Sequence, residues 1–407
     1  MAKKNILIVD DSALMRRVIS DIINADERFE VLETANNGQE GLDKIIANPR
    51  KYDAIVLDIN MPKLNGLEVL EQLQKNHIRI KVIVVSTVAK EGAKETIIAL
   101  ERGAFDFVTK PDNLMQVRGE DFKQSLMSVL SVATGVEDAA FGQSILGSRL
   151  PGGRKSKLDE QRKRSGGSED LHTSSAKTSH TQTGSSPRAF ELYGHRESFK
   201  PHKRFMGKKD GKRKLIALAS STGGPKSLQS VIPKLPANID APMIIVQHMP
   251  KGFTKSLAMR LDEMSKVHVK EAEDGDILKK GWVYVAPGGK QMKVLKSGQE
   301  SKVCLTDDPP IGGLRPCANI MYESLIGSSY DEITCVVLTG MGADGTNGIG
   351  SLGENANIYV VAQDEETSVV YGMPKAVAVA GLVDEVKPLD RVADAIIKNV
   401  GVLNDGR

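Results

Sequence analysis

Asn5-Ile6-Leu7-Ile8-Val9-Asp10-Asp11-Ser12 is a short apolar run that stops abruptly on acids and a hydroxyl. The pattern returns at Ala54–Asp58, Lys81–Ser86 and Asp106–Lys110. Each run is too short for a helix, rich in β-branched residues, and bounded by polar or turn-forming residues, so each reads as a buried strand. Ile6–Val9, Phe29–Glu33, Ala54–Leu57, Lys81–Val85 and Asp106–Val108 are the candidate strands. Helical spacing fills 14–25, 38–47, 65–75, 91–101 and 116–132. Strands alternating with helices in this way predict a doubly wound α/β domain, its five-stranded parallel sheet covered on both faces. In such a sheet a ligand crevice lies beyond the carboxyl ends of the strands.

The residues at those ends share one chemistry. Strand one ends in Asp10 and Asp11, strand three in Asp58, strand four in Ser86 and Thr87, strand five in Thr109, Lys110 and Pro111. Carboxylates converging on one crevice repel unless a cation sits among them, and an all-oxygen site suits Mg²⁺. A carboxylate can also accept a phosphoryl group, whose oxygens a lysine and a hydroxyl would bind. Taken singly, Asp-Asp-Ser before a helix reads equally as an N-cap, and Lys-Pro as a turn. In order, LIVDDS, VLDINMP, VVST and DFVTKP closely resemble the receiver domain of bacterial response regulators across the whole first block. The resemblance implies that Asp58 accepts the phosphoryl group. It also implies that Asp10, Asp11, Asp58 and the Asn60 backbone carbonyl hold Mg²⁺, and that Ser86 and Lys110 bind the phosphoryl oxygens. Phe107 takes the position of the family's rotating switch aromatic, although an ordinary core role fits it equally.

Composition divides the chain. Its 407 residues carry 55 Lys and Arg against 52 Asp and Glu, a net +3. Residues 148–214 hold 18 of the former and 7 of the latter, with no Val or Ile and four of the seven His. Such a stretch buries too little apolar area to offset its ordering entropy and reads as a disordered linker. We therefore expect a receiver over 1–134, a flexible basic linker over 135–213 and a catalytic domain over 214–407. The remaining sequence is acidic, which argues against a nucleic-acid binder. The apolar run at the N-terminus is too short for a signal peptide core, and no stretch reaches the length of a membrane helix. Cys304, Cys317 and Cys335 form no CxxC pair, against a disulfide framework or a zinc site. A cytoplasmic protein without membrane insertion is the expectation.

The second block resumes the α/β alternation. Leu215–Ala219 runs into Ser220-Ser221-Thr222-Gly223-Gly224-Pro225, a tight turn that would expose a nucleophile. The full G-x-S-x-G elbow and the phosphate-loop pattern are both absent, and a helix N-cap competes. Pro242–Val246 ends in Gln247-His248. Outside the linker the other histidines are His77, near a helix end, and His268, alternating with valines as in a strand. Only His248 directly follows a buried strand, where a general base is commonly placed. Glu332–Leu338 then runs into a glycine-rich turn ending in Asp344. Ser, His and Asp at three strand ends supply the nucleophile, base and orienting acid of a hydrolytic triad. Their chain order differs from that of the α/β-hydrolases.

SSTGGP, QHMPKGFT, VYVAPGG, LTGMGADG and QDEETSVVYGMP resemble the catalytic domain of the chemotaxis protein-glutamate methylesterase family, CheB. Receiver, linker and this domain together are that family's architecture. The resemblance implies that Ser221 attacks a receptor glutamate methyl ester, His248 moves the proton and Asp344 orients His248. Met341 N–H would serve the oxyanion and Thr222 would support His248, with no cofactor in this domain. Methyl-accepting chemoreceptors would be substrate, with selected glutamines deamidated, and a chemotaxis histidine kinase the phosphodonor. Three departures stand out: Ser220 beside the nucleophile, Gly289-Lys290-Gln291 in a segment where the family often has a His, and Cys317 where Ser is common. Two rival readings remain open, a regulator whose basic linker binds DNA and a hydrolase of another protein ester or amide.

Overall fold

The central strands are buried along their whole length, their alternate side chains entering cores on opposite faces of two α/β sheets. A computed structural model describes residues 2–87, 89–111, 119–136, 203–204, 211–298 and 300–403. In the first block, β1 (Lys4–Val9), β2 (Phe29–Ala35), β3 (Ala54–Asp58), β4 (Lys81–Ser86) and β5 (Asp106–Thr109) form a parallel sheet in the order β2-β1-β3-β4-β5. Each predicted strand is present and one or two residues longer, β3, β4 and β5 gaining the polar residues Asp58, Ser86 and Thr109 at their carboxyl ends. The helices are α1 (Ala13–Asn24), α2 (Gly38–Ala47), α3 (Gly66–Lys75), α4 (Lys90–Glu101) and α5 (Glu120–Thr134). Ser12 caps α1, its hydroxyl accepting the Met15 amide, and Met15, Val18, Ile19 and Ile23 form the buried stripe. Along β1, Leu7 and Val9 face one core while Ile6 and Ile8 face another, as a period of two requires.

The second block is built on β7 (Lys214–Ser220), followed by α6 (Gly224–Val231), β8 (Met243–Gln247), α7 (Phe253–Met264), β9 (His268–Glu271) and β10 (Trp282–Val285). A hairpin of β11 (Gln291–Ser297) and β12 (Glu300–Thr306) leads to α8 (Ala318–Glu323) and β13 (Glu332–Val337). Then come α9 (Thr346–Asn355), β14 (Asn357–Gln363), α10 (Met373–Val379), β15 (Glu385–Lys387) and α11 (Leu389–Val400). The sheet runs β15-β14-β13-β7-β8-β10-β9, all parallel. From β7 the chain moves first to β8 on one side and later to β13 on the other, so strand order reverses at β7. A crevice at the carboxyl end of β7 is the outcome that topology dictates.

Most of the expected linker, 137–202 and 205–210, lies outside the described residues. Its C-terminal end includes described residues, 203–204 and 211–213. β6 (Lys203–Arg204) pairs with β14 as a short parallel strand. Lys212 Nζ lies 2.7 Å from Glu332 Oε1, and Arg213 N donates to Asp331 Oδ2 at 2.9 Å. Backbone pairing thus fixes a segment whose composition reads as tether. The receiver and the second block belong to one compact unit. A continuous buried cluster runs from Leu7 and Val9 through Phe107 to Phe253, Ile216 and Leu218.

Candidate active site and receiver pocket

In the receiver, β1 and β3 lie side by side, so Asp10 and Asp58 end neighbouring strands and are both buried. Ser12 N donates to Asp10 Oδ1 at 2.8 Å. Lys110 Nζ stands 2.7 Å from Asp58 Oδ2 and 3.0 Å from Asp10 Oδ2. Burial pushes the Asp58 carboxyl up to about 6, against the opposing pull of the Lys110 charge. Burial works to lower the Lys110 pKa, yet Asp58 and Asp10 hold it above the ordinary lysine value. One carboxylate oxygen each from Asp10, Asp11 and Asp58 lie within 4.8 Å of one another. Apart from its ion pair with Lys110, buried Asp10 Oδ2 has no hydrogen-bond partner. Three hard oxygen donors with one under-satisfied lone pair fit a Mg²⁺ ion. Asn60 lies two residues past the end of β3, its side chain reaching Glu95. Ser86 does not turn its hydroxyl to Lys110: Ser86 Oγ donates to Gly92 O at 3.1 Å. Their backbones meet instead, Lys110 N donating to Ser86 O at 2.6 Å.

In the second block, β7 and its neighbours β8 and β13 place the His248–Asp344 pair beside the turn that carries Ser221, His248 N donating to Ser220 O at 3.1 Å. His248 Nε2 lies 2.8 Å from Asp344 Oδ2, the carboxylate accepting the Nε2–H. That engagement leaves Nδ1 as the ring nitrogen free to take a proton. Asp344 Oδ2 also accepts Ala318 N at 2.6 Å, while Oδ1 accepts Asn319 N at 3.0 Å and Gly345 N at 2.9 Å. Burial would raise the Asp344 pKa, but the His248 hydrogen bond and charge, with the Ala318 and Asn319 amides, bring it below the usual value. The acid is therefore an anion held by fixed donors.

The two serines part company here. Ser220 is fully buried, and its hydroxyl donates to Gln247 Oε1 at 2.7 Å. Ser221 lies past the strand end, partly exposed, its backbone fixed by Ser221 N to Thr339 O at 3.0 Å and Gln247 Nε2 to Ser221 O at 3.0 Å. Among the described residues, no hydrogen bond joins Ser221 Oγ to His248. Gly223 needs its left-handed φ of 77°, and a Cβ there would fall 2.5 Å from Val369 Cβ. Gly340 lets Ser221 approach: a Cβ on it would sit 2.8 Å from Ser221 Cβ.

Thr222 is not brought to the imidazole. Its hydroxyl donates to receiver residue Asp106, at 2.6 Å from Oδ2. Burial pushes the Asp106 carboxyl up to about 6, opposed by that hydroxyl and by the Phe107 amide. Phe107 packs on Phe253, ring centroids 4.6 Å apart, so the expected switch aromatic lies in the contact between the blocks. Arg260 makes a forked ion pair with Glu101, Nη2 lying 3.0 Å from Oε1 and 3.1 Å from Oε2. Ser128 Oγ approaches Met341 Sδ to 3.9 Å, and Val370 packs on the core under α5. Residues flanking Ser221, Met341 among them, thus lie against the receiver. No local signal marks Asp106, because its partner Thr222 lies 116 residues away.

Two family models match the chain: response regulator receiver domain over residues 6–118, and CheB methylesterase over 216–396. A protein of Geobacillus kaustophilus named protein-glutamate methylesterase/protein-glutamine glutaminase is 38% identical over 97% of this chain and 98% of its own length. Its namesake in Bacillus subtilis is 36% identical over 96% of this chain and 97% of its own. The crystal structure of the Thermotoga maritima CheB methylesterase catalytic domain is 42% identical, covering 46% of this chain and 97% of that one, with a TM-score of 0.44. No helix among the described residues is long and apolar enough to cross a membrane.

Proposed function

The chain belongs to the CheB methylesterase family, and we propose that it demethylates glutamate methyl esters of bacterial chemoreceptors under control of its own receiver. The carrying observation is the His248–Asp344 pair, set beside Ser221 at the strand-order reversal. Ser221 Oγ attacks the γ-carbonyl carbon as His248 Nδ1 takes its proton. Asp344, an anion fixed by three backbone amides, stabilises the imidazolium so formed. The Met341 N–H, which makes no hydrogen bond among the described residues, receives the oxyanion, a donor worth about 3 kcal/mol in such sites. His248 returns the proton to departing methanol, and water then hydrolyses the acyl-enzyme by the same route. On a glutamine substrate ammonia leaves instead.

Control passes through the receiver. Asp58 is the phosphoryl acceptor, and Lys110 pairs with the new oxygens. Asp10, Asp11, Asp58 and the Asn60 carbonyl would hold Mg²⁺, which when bound would offset the charge of the phosphoryl group. Ser86 reaches the phosphoryl group by releasing Gly92, and Phe107 follows in leaving Phe253. Because Asp106 adjoins Phe107, the same movement frees Thr222, which then supports His248. A chemotaxis histidine kinase is the physiological donor. The test is methanol release from methylated receptor with and without a small phosphodonor. Stimulation that is lost in Asp58→Asn, with no turnover in Ser221→Ala, is expected. Equal rates with and without donor, or full activity of Ser221→Ala, would overturn the proposal.

A further inference from the structure

Among the described residues, the Asp344 carboxylate has one side-chain donor besides His248. Cys317 Sγ lies 3.2 Å from Asp344 Oδ1, buried. The backbone donors of Ala318, Asn319 and Gly345 remain whatever side chain stands at 317, so the thiol is the adjustable member of the set. Gln291 holds it in place. This glutamine is fully buried at the start of β11, its Oε1 accepting Cys317 N at 2.9 Å. Its Nε2 donates to Leu314 O at 3.2 Å and Pro309 O at 3.4 Å, tying the segment before α8 to the hairpin.

The geometry points to Cys317 as a positioning residue for the hydrolytic reaction, its Gln291-anchored thiol fixing Asp344 Oδ1 so that Oδ2 faces His248. This rests on the reading of Ser221, His248 and Asp344 given above. A carboxylate can rotate about its Cβ–Cγ bond, and a directed donor on Oδ1 narrows that freedom where the imidazolium must form. The thiol suits the task because it keeps its proton. Burial, then the Asp344 charge, pushes Cys317 up to about 12. For the same reason it is a poor nucleophile and a poor redox sensor. Although a thiol is a weak donor, a charged acceptor strengthens the bond.

The experiment uses the full chain with saturating phosphodonor and methylated receptor, reading kcat, KM and the thermal midpoint. Cys317→Ala is expected to lower kcat about three- to tenfold, a weak donor on a charged acceptor, with KM held within about twofold. Cys317→Ser, which restores a donor of similar reach, should return kcat to within about twofold of the parent. Should Cys317→Ala melt early, Cys317→Val, similar in volume and without a donor, carries the same test. Unchanged kcat in a folded donor-free variant, a loss confined to KM, or no rescue by serine would overturn the assignment. Ser221→Ala runs alongside: full activity there sinks the reading of the site itself, whereas inactivity there with an indifferent Cys317 sinks only this inference.

Discussion

Ser220 and Ser221 are one residue apart at a strand end, and in a strand adjacent side chains leave opposite faces. Ser220 turns inward to Gln247, so Ser220→Ala should keep turnover within about threefold while costing about 1 kcal/mol of stability for the buried hydrogen bond. Methanol release and urea unfolding read the two effects; a dead Ser220→Ala with an active Ser221→Ala would reverse the assignment. Asp344→Asn should lose about 10³-fold or more in kcat, the scale seen when a triad's orienting acid loses its charge. An amide there also turns a donor toward backbone N–H groups that need an acceptor, so the midpoint should fall as well. Activity near the parental level would leave Asp344 with a structural role alone. Ser221 and His248 stand out in the sequence because each directly follows a buried strand, and Asp344 because it closes the glycine-rich turn beyond a third. Cys317 and Gln291 were visible only as departures: what they touch depends on a contact across 26 residues, and no local pattern encodes it.

Among elements, β5 carries two messages in adjacent residues. Phe107 packs on Phe253 at the head of α7, and Asp106 takes the Thr222 hydroxyl. Periodicity could say that Phe107 is buried but not by which block, so switch and core could not be told apart from sequence. The five receiver strands, by contrast, were legible almost to the residue, since pairing stops at the polar side chains that populate the pocket. Asp106 gives this contact a pH dependence whose sign is fixed. Its carboxyl is pushed up to about 6 where the blocks meet, against about 3.9 in water. The contact is thus favoured by the protonated form, fully so below about pH 4, and weakens as pH climbs through 6. The ratio of unphosphorylated to phosphorylated activity should therefore rise between about pH 4.5 and about 6 and level off above about 6.5, as expected for a group titrating at about 6. Taking the ratio cancels the acid limb common to both states. Asp106→Asn, uncharged at every pH and still able to accept from Thr222, should flatten it; an equal slope in that variant would assign the titration elsewhere.

For the molecule as a whole, the question is what holds the receiver over the site: the basic tether or the interface. The net +3 conceals a +11 stretch between acidic blocks, and a cationic tether drawing those blocks together would make inhibition fall steeply with salt. The interface offers another source. Its buried cluster is continuous across both blocks, and its ion pair, Arg260–Glu101, is about one-third exposed on each side. Such a pair contributes about 1 kcal/mol at most, or roughly fivefold in an equilibrium. Raising NaCl from about 0.05 to 0.5 M should therefore raise unphosphorylated activity less than about fivefold. Arg260→Ala should raise it by a similar factor and remove most of the remaining salt effect. For any flexible connection, length acts through effective concentration, which falls roughly as the −3/2 power of length. Deleting about half of residues 140–195 should deepen inhibition no more than about threefold. If activity instead climbed tenfold or more with salt in Arg260→Ala, or the shortened tether released the enzyme, the charge of the tether would be the clamp and the interface only its resting place.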